Sequence, residues 1–401
     1  MHQSLPTEMV EAILLEALDP SNPNTTWVDF VDLRRTLCLV CKIWKTLVEG
    51  HSTLWSTITI QRFSTPALLR RCMDIYKGTD AVLTIDARAR KDTVKDKKMQ
   101  KVENVHMDRF LAMIGAEVMP SAWKVARVTV KSGGETEIEQ VTNLLAQHSW
   151  PSLQALALQP SSNMGAAPRV FDLPQTHQIT TLHLDTASPR HIPLSVFPSL
   201  HDLALRNSDC GHWNGFETIL HLLTHIRRLT LDKIKIAGWH SDRVVQMPDT
   251  LDTLRFSYES VEGAAVLARL EIGGLETLEI RAYGGRDLRD AVASNPSIFA
   301  RSRKITVAQR HDSELETREA TLAVLHAMHD VVRLDMACFG PPGVAALKEF
   351  VSKGGQLEDL EEVKCGGVFN EADMQYIAGG KFGQKFVIMQ HGGVVRRGHA
   401  K

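Results

Sequence analysis

The chain has 401 residues, enough for two or three ordinary domains or for one small domain followed by a long repeat array. With 43% apolar residues, 23% charged residues and a formal net charge of −1, it makes no global electrostatic case for nucleic acid or an anionic membrane as its main partner. Six cysteines in this length make no disulfide framework, and no run approaches the roughly 18 apolar residues of a membrane span, so cytosol or nucleus is the expected setting.

At the N-terminus Glu8, Glu11 and Glu16 interrupt the apolar core that a secretory leader needs, so none is expected. Residues 4–18 predict a helix instead. Pro6 stands in the first turn, where a missing amide costs no hydrogen bond, and Val10, Ile13, Leu14 and Ala17 recur at helical spacing. A break rich in Pro, Ser and Asn follows from Asp19 to Thr26. The spacing then predicts a second helix from about Val28 to Val48, with Leu33, Leu37, Val40, Cys41, Trp44 and Leu47 on one side. Its basic residues Arg34, Arg35, Lys42 and Lys45 lie mostly on the other. Cys38 and Cys41 have CxxC spacing but no second pair to complete a zinc site, so they read as core cysteines of a packed helix. A module of about 55 residues rich in tryptophan and leucine-type side chains buries little apolar surface alone. Either the rest of the chain or a partner must complete it, and composition does not choose.

Leu5-Pro6-x-Glu8, Ile13-Leu14, Leu39-Val40-Cys41-Lys42-x-Trp44 and Leu54-Trp55 together resemble the F-box motif, in the variant common in large fungal families. The resemblance covers residues 4–58 and departs from the compact form in the long loop from Asp19 to Val31. It implies a small all-helical F-box domain over residues 1–60 that binds a Skp-type adaptor, which bridges to cullin and RING subunits. It also implies that Leu5, Pro6, Ile13, Leu14, Val40, Cys41 and Trp44 contact the adaptor. Against this stands plain packing within the module, evenly balanced for Leu37, Trp55 and Trp44 because large aromatics serve both cores and interfaces.

Between Arg88 and Lys101 there are seven Lys or Arg and two Asp. A solvated loop or exposed helix is the default for such a run, ahead of nucleic-acid binding or nuclear import. From residue 150 a pattern recurs: Leu153-x-x-Leu156-x-Leu158, Ile179-x-x-Leu182-x-Leu184, Leu200-x-x-Leu203-x-Leu205, Ile226-x-x-Leu229-x-Leu231, Leu251-x-x-Leu254-x-Phe256 and Leu275-x-x-Leu278-x-Ile280. The first positions are 26, 21, 26, 25 and 24 residues apart. Weaker copies stand at Ile305, Val331 and Leu357, with earlier candidates at Val82 and Val125. Each unit predicts a short strand, with return segments such as Gly215 to Leu223 and Thr321 to Met328 helical.

This periodicity loosely resembles the leucine-rich-repeat family. The Asn or Cys expected after the third apolar position is mostly absent: Ser208 and Ile234 stand there, and only Cys365 fits. The expected fold is therefore α/β, a small all-helical F-box module followed by a curved leucine-rich-repeat solenoid. Its array would span residues 61–395, 61–150 being its least regular part, before a disordered basic tail at 396–401. A TIM barrel or doubly wound sheet also alternates strands and helices, but no strand is followed by a Gly-rich phosphate fingerprint.

Seventeen histidines invite a search for metal. His221-Leu222-Leu223-Thr224-His225 lacks the glutamate of a zincin helix, His326 and His329 are only three apart, and neither GxSxG nor a P-loop occurs. No catalytic residue, metal or cofactor is expected. The sequence thus points to a non-catalytic substrate receptor of a Skp-cullin-F-box ubiquitin ligase, whose repeats bind a client protein. Its alternatives are a scaffold that delivers no ubiquitin and, from another class, a metal-dependent hydrolase. Arg206, Arg228, Arg255 and Arg281 fall at outward strand positions and are the candidate client contacts, as a stripe suited to acidic or phosphorylated motifs. Asp185, Asp202, Asp232 and Glu279 fall at outward positions too, so cross-strand pairing is the competing role.

Overall fold

A computed structural model of the chain describes residues 9, 12–13, 36–51, 55–62, 64–88, 97–161, 170–173, 179–238, 244–258, 266–282, 285–309, 313–336, 340–357, 359–365, 381–382, 387–390 and 393–397. They fall in two compact units, Met1–Thr180 and Thr181–Lys401.

In the first unit, helix α1 (Lys42–Gly50) leads into strand β1 (Thr57–Gln61). The joint is fixed by Trp55, which is buried and donates its indole N–H to the Val48 carbonyl at 2.8 Å, with Val48 itself fully buried. There follow α2 (Pro66–Ile75), β2 (Ala81–Asp86), α3 (Lys97–Glu117), β3 (Val125–Ser132), α4 (Glu135–Ala146) and β4 (Ala155–Pro160). The four strands lie side by side in chain order, all parallel. Parallel neighbours require a crossover, and α2, α3 and α4 lie in those crossovers. Alternate residues face inward, so Ile58, Leu83, Val128 and Leu156 stack across the ladder, as do Ile60, Ile85, Val130 and Leu158. Lys124 is buried and donates to the Met73 and Tyr76 carbonyls at 2.6 and 2.9 Å, capping the C-terminal end of α2. Burial, with Lys77's charge beside it, pushes its pKa down.

Among the described residues, the second unit holds ten strands of one sheet. The first four are β5 (Thr181–Asp185), β6 (Asp202–Arg206), β7 (Arg228–Asp232) and β8 (Thr253–Tyr258). Next come β9 (Leu275–Ala282), β10 (Ser302–Gln309), β11 (Arg333–Met336), β12 (Glu362–Cys365), β13 (Val387–Gln390) and β14 (Gly393–Arg397). They again follow chain order, and every neighbouring pair is parallel except β13 and β14. Helices α5 (Trp213–Leu222), α6 (Gly285–Ser294), α7 (Pro296–Ala300), α8 (Glu314–Ala327) and α9 (Gly340–Ser352) lie in the crossovers. Ser313 caps α8 by accepting from the Glu316 amide, and acidic Glu314 and Glu316 suit that positive end. Arg318 ties α8 to α9 through Glu349, and Arg289 ties α6 to α8 through Glu319.

The expectation of a small all-helical module followed by a curved leucine-rich-repeat solenoid is corrected. The segment assigned to the module ends in strand β1, paired along its length with β2, so no separate all-helical module forms among the described residues. The LxxLxL segments are strands, but what they build is a large parallel α/β sheet, and the described residues indicate no curved solenoid. The reason is that alternation and a crossover every 25 or so residues suit any parallel sheet; nothing in the period itself specifies curvature. Two local expectations also change. The second helix breaks at Cys41, whose backbone is extended (φ −162°, ψ 170°). Cys41 is exposed and Cys38 half-buried, so neither is a core cysteine. Arg396 and Arg397, expected in a disordered tail, close β14 against Ile388 and Val387.

Leu229 has no exposed surface and lies between Leu203 and Leu254 in the ladder. Leu229→Ala should cost about 2–5 kcal/mol through lost burial and a residual cavity, measured by urea unfolding. In the first unit, burial alone would raise the Asp86 pKa, but hydrogen bonds from the Arg88 side chain and amide, with the Arg88 and Lys131 charges, hold it below the usual carboxylate range. A depressed folded pKa contributes stability above about pH 4 that is lost as pH falls through the folded value. The stability difference between the parent and Asp86→Asn should therefore be on the order of 1 kcal/mol at neutral pH and vanish in acid.

Candidate functional site

Two surfaces hold the residues singled out from the sequence. The first is the N-terminal segment. Leu39, Val40 and Ile43 are 78%, 57% and 64% exposed, three bare aliphatic side chains within five residues. Ile13 is also half out of the protein, Cys41 is exposed and Trp44 is half-buried. Leu5, Pro6 and Leu14 lie outside the described residues. Ile43 stands in the first turn of α1, while Leu39 and Val40 precede the extended Cys41, and α1 is held at its other end by Val48, by the Trp55 hydrogen bond and by an ion pair from Glu49 to Arg71 on α2. Trp55 is thus spent inside the chain. Burial and the Glu49 charge raise the Cys38 pKa, so its thiol stays protonated at neutral pH. Leu39 and Ile43 were not among the carried-over contacts; their signal is an aliphatic side chain at a motif position left unassigned.

The second surface is the outward face of the second unit's sheet. Because the ladders are in register, the outward side chains form rows. One row runs Asp202, Arg228, Thr253, Thr277, Lys304, Arg333, Glu362. The next contains Ala204, Thr230, Arg255, Glu279, Thr306, Asp335 and Lys364. The third, at the strands' C-terminal ends, runs Asp185, Arg206, Asp232, Ser257, Arg281, Ala308. The four arginines therefore occupy three rows and not one stripe. Arg228 pairs with Asp202 at 3.0 Å, and Arg255 with Glu279 at 2.9 Å. Arg206 and Arg281 share the third row and make no ion pair among the described residues.

That third row ends in a strained turn. Thr186, Asn207 and Lys233, each directly after a strand, adopt left-handed backbone at φ 62°, 50° and 55°. Such a conformation costs a non-glycine residue roughly 1–2 kcal/mol. Backbone hydrogen bonds hold it: the Thr186 amide donates to the Arg206 carbonyl at 2.7 Å and the Asn207 amide to the Asp232 carbonyl at 2.8 Å. Asn207 also donates its side-chain amide to Asp185. Buried Ser208 stands where the repeat pattern expects Asn, and its hydroxyl donates to the Arg206 carbonyl at 2.9 Å, a shorter version of the same service.

Arg206 and Arg281 are opposite walls of one cleft on this face. Between them lie Asp232, Thr230 and Ser257, with the Arg255–Glu279 pair alongside. Ser257, 7% exposed as a residue, is among the cleft's lining side chains. Sequence reasoning missed it, since a serine in an outward position carries no signal without its neighbours. Among the described residues, the arrangement offers donors of both charged and neutral kinds and the carboxylate of Asp232, with no nucleophile paired with a base.

The histidine pairs do not converge. His221 lies 3.8 Å from Glu217, His326 packs edge-on to Phe350, and no group of three or more metal-ligating side chains occurs among the described residues. No helix among them is long and apolar enough to cross a membrane. No family model and no curated protein matches the chain.

An exposed ion pair contributes at most about 1 kcal/mol, so Arg255→Ala should lower stability by no more than that. Arg281→Ala should leave the unfolding free energy within about 0.5 kcal/mol of the parent. A larger loss in urea titration would mean that Arg281 carries a structural load.

Proposed function

We propose that this chain is a non-catalytic receptor that docks on a Skp-type adaptor through its N-terminal segment and holds a client protein on the outward face of its second unit. Cullin and RING subunits, reached through the adaptor, would deliver ubiquitin. The observation that carries the reading is the exposed cluster of Leu39, Val40 and Ile43 at and just before the N-terminal edge of α1, whose other end is anchored. Contiguous bare aliphatic side chains are costly in water and mark a partner's seat. They fall within the stretch Leu39-Val40-Cys41-Lys42-x-Trp44 that resembles the F-box motif. The second unit supports the client half by presenting rows of polar side chains on a rigid, leucine-backed sheet.

The reading is tested with the full chain and a purified Skp-type adaptor. Val40→Asp with Ile43→Asp places charge on exposed positions, so folding should survive while adaptor affinity falls by roughly thirtyfold or more, about 2 kcal/mol. Trp44→Ala should weaken binding in the same direction. Unchanged affinity in the double variant, with an unchanged circular dichroism spectrum, sinks the adaptor assignment. If the adaptor binds but a reconstituted ligase ubiquitylates no co-purifying protein, the chain is a scaffold and not a delivery receptor.

A further inference from the structure

We propose that the cleft between Arg206 and Arg281 recognises an extended acidic peptide segment with two carboxylate side chains four residues apart and a hydrogen-bond donor midway between them. The proposal rests on the client-receptor reading and specifies the chemistry of the client.

The charge pattern of the face selects these two arginines. Arg228 and Arg255 already have carboxylate partners at hydrogen-bonding distance. Arg281 faces Ser257 on one neighbouring strand and Ala308 on the other, so no carboxylate opposes it across either ladder. Arg206 is exposed and makes no ion pair among the described residues, although Asp185 and Asp232 are its ladder partners. Ser257 lines the same cleft, where its hydroxyl offers a ligand a donor or an acceptor.

Spacing then defines the ligand. Arg206 and Arg281 are three strands apart, about 14 Å at the usual 4.8 Å per strand. An extended peptide lying across the strands advances about 3.3 Å per residue, so four residues span about 13 Å, and side chains i, i+2 and i+4 point the same way. Acidic side chains at i and i+4 therefore meet the two guanidinium groups, which suit bidentate carboxylate recognition. The side chain at i+2 comes down between Asp232 and Ser257. Asp232 repels an acid there and accepts from Lys, Arg, Ser, Thr, Asn or Gln. A run of uninterrupted acidic residues fits less well than an acid–donor–acid alternation.

The test pans a phage-displayed dodecapeptide library on the immobilised full chain. The expected pool is enriched in acid-x-donor-x-acid. A synthetic peptide from that pool should lose on the order of tenfold in affinity against the Arg206→Ala, Arg281→Ala double variant and nothing against Arg228→Ala. Inserting one glycine between the acids turns one side chain away and should cost as much. The Arg206→Glu, Arg281→Glu variant should instead select basic residues at both ends, a reversal that a merely structural role would not produce. A pool with no paired acids, or one unchanged on the double alanine variant, overturns the proposal. So does a strong preference for phosphoserine over glutamate at either end, which would make the ligand class phosphorylated. Adaptor binding by the same preparations separates the two ideas. Lost acid-pair selection with intact adaptor binding removes only the cleft assignment, and the converse removes only the receptor reading.

Discussion

The in-phase stacking of aliphatic side chains across parallel ladders is the constraint on which everything else rests. In the second unit Leu182, Leu203, Leu229, Leu254, Leu278, Ile305 and Leu334 form one continuous buried row, and each is at most 1% exposed. A slip of one residue between any two strands would turn that row to solvent and bury charged neighbours, so burial holds the register tightly. The same register aligns the outward residues. Arg206, Asp232, Ser257 and Arg281 share a cleft only because Leu205, Leu231, Phe256 and Ile280 are stacked beneath them.

On that face, electrostatics works by neighbourhood. Most charges are absorbed across a single strand gap, as in Arg228–Asp202, Arg333–Glu362 and Lys364–Asp335. Such exposed pairs add little stability but hold long side chains in place and cancel the local field. Arg206 and Arg281 stand apart from this pattern: neither makes an ion pair among the described residues, although Asp185 and Asp232 oppose Arg206 across its ladders. The left-handed residues Thr186, Asn207 and Lys233 end three of the strands abruptly, so the third row sits at the rim where a peptide can approach.

The N-terminal segment follows a different logic. Val48, Trp55 and the Glu49–Arg71 pair fasten one end of α1 to the first unit, while Leu39, Val40 and Ile43 remain in water. Anchoring one end lowers the entropy cost of presenting the other to a partner. Apolar spacing had pointed to an uninterrupted helix through this stretch, and the extended Cys41 shows where that inference stopped: spacing reports a preferred face, not continuity.

Much of the strand content was legible because burial alternates locally. The second and third apolar positions of LxxLxL lie on β4 to β9, the first standing just before the strand in all but β9, and the return segments 215–223 and 321–328 fall on or beside α5 and α8. The four arginines were recognisable as outward for the same reason. Their grouping into three rows was not, because a row is defined by which residue of one strand faces which residue of the next, some 25 positions away. Ser257 could not be singled out at all, since its burial and its place in the cleft depend on neighbours from other strands. By itself, then, the sequence determined the alternation, the strand interval and the outward chemistry, which are properties of a residue and its near neighbours. The tertiary structure alone decided that β1 joins the sheet instead of closing a helical module, which arginines keep their charge available, and which hydroxyl opens into the cleft. Those outcomes depend on pairing between residues far apart in the chain, and a local pattern carries no record of its partner.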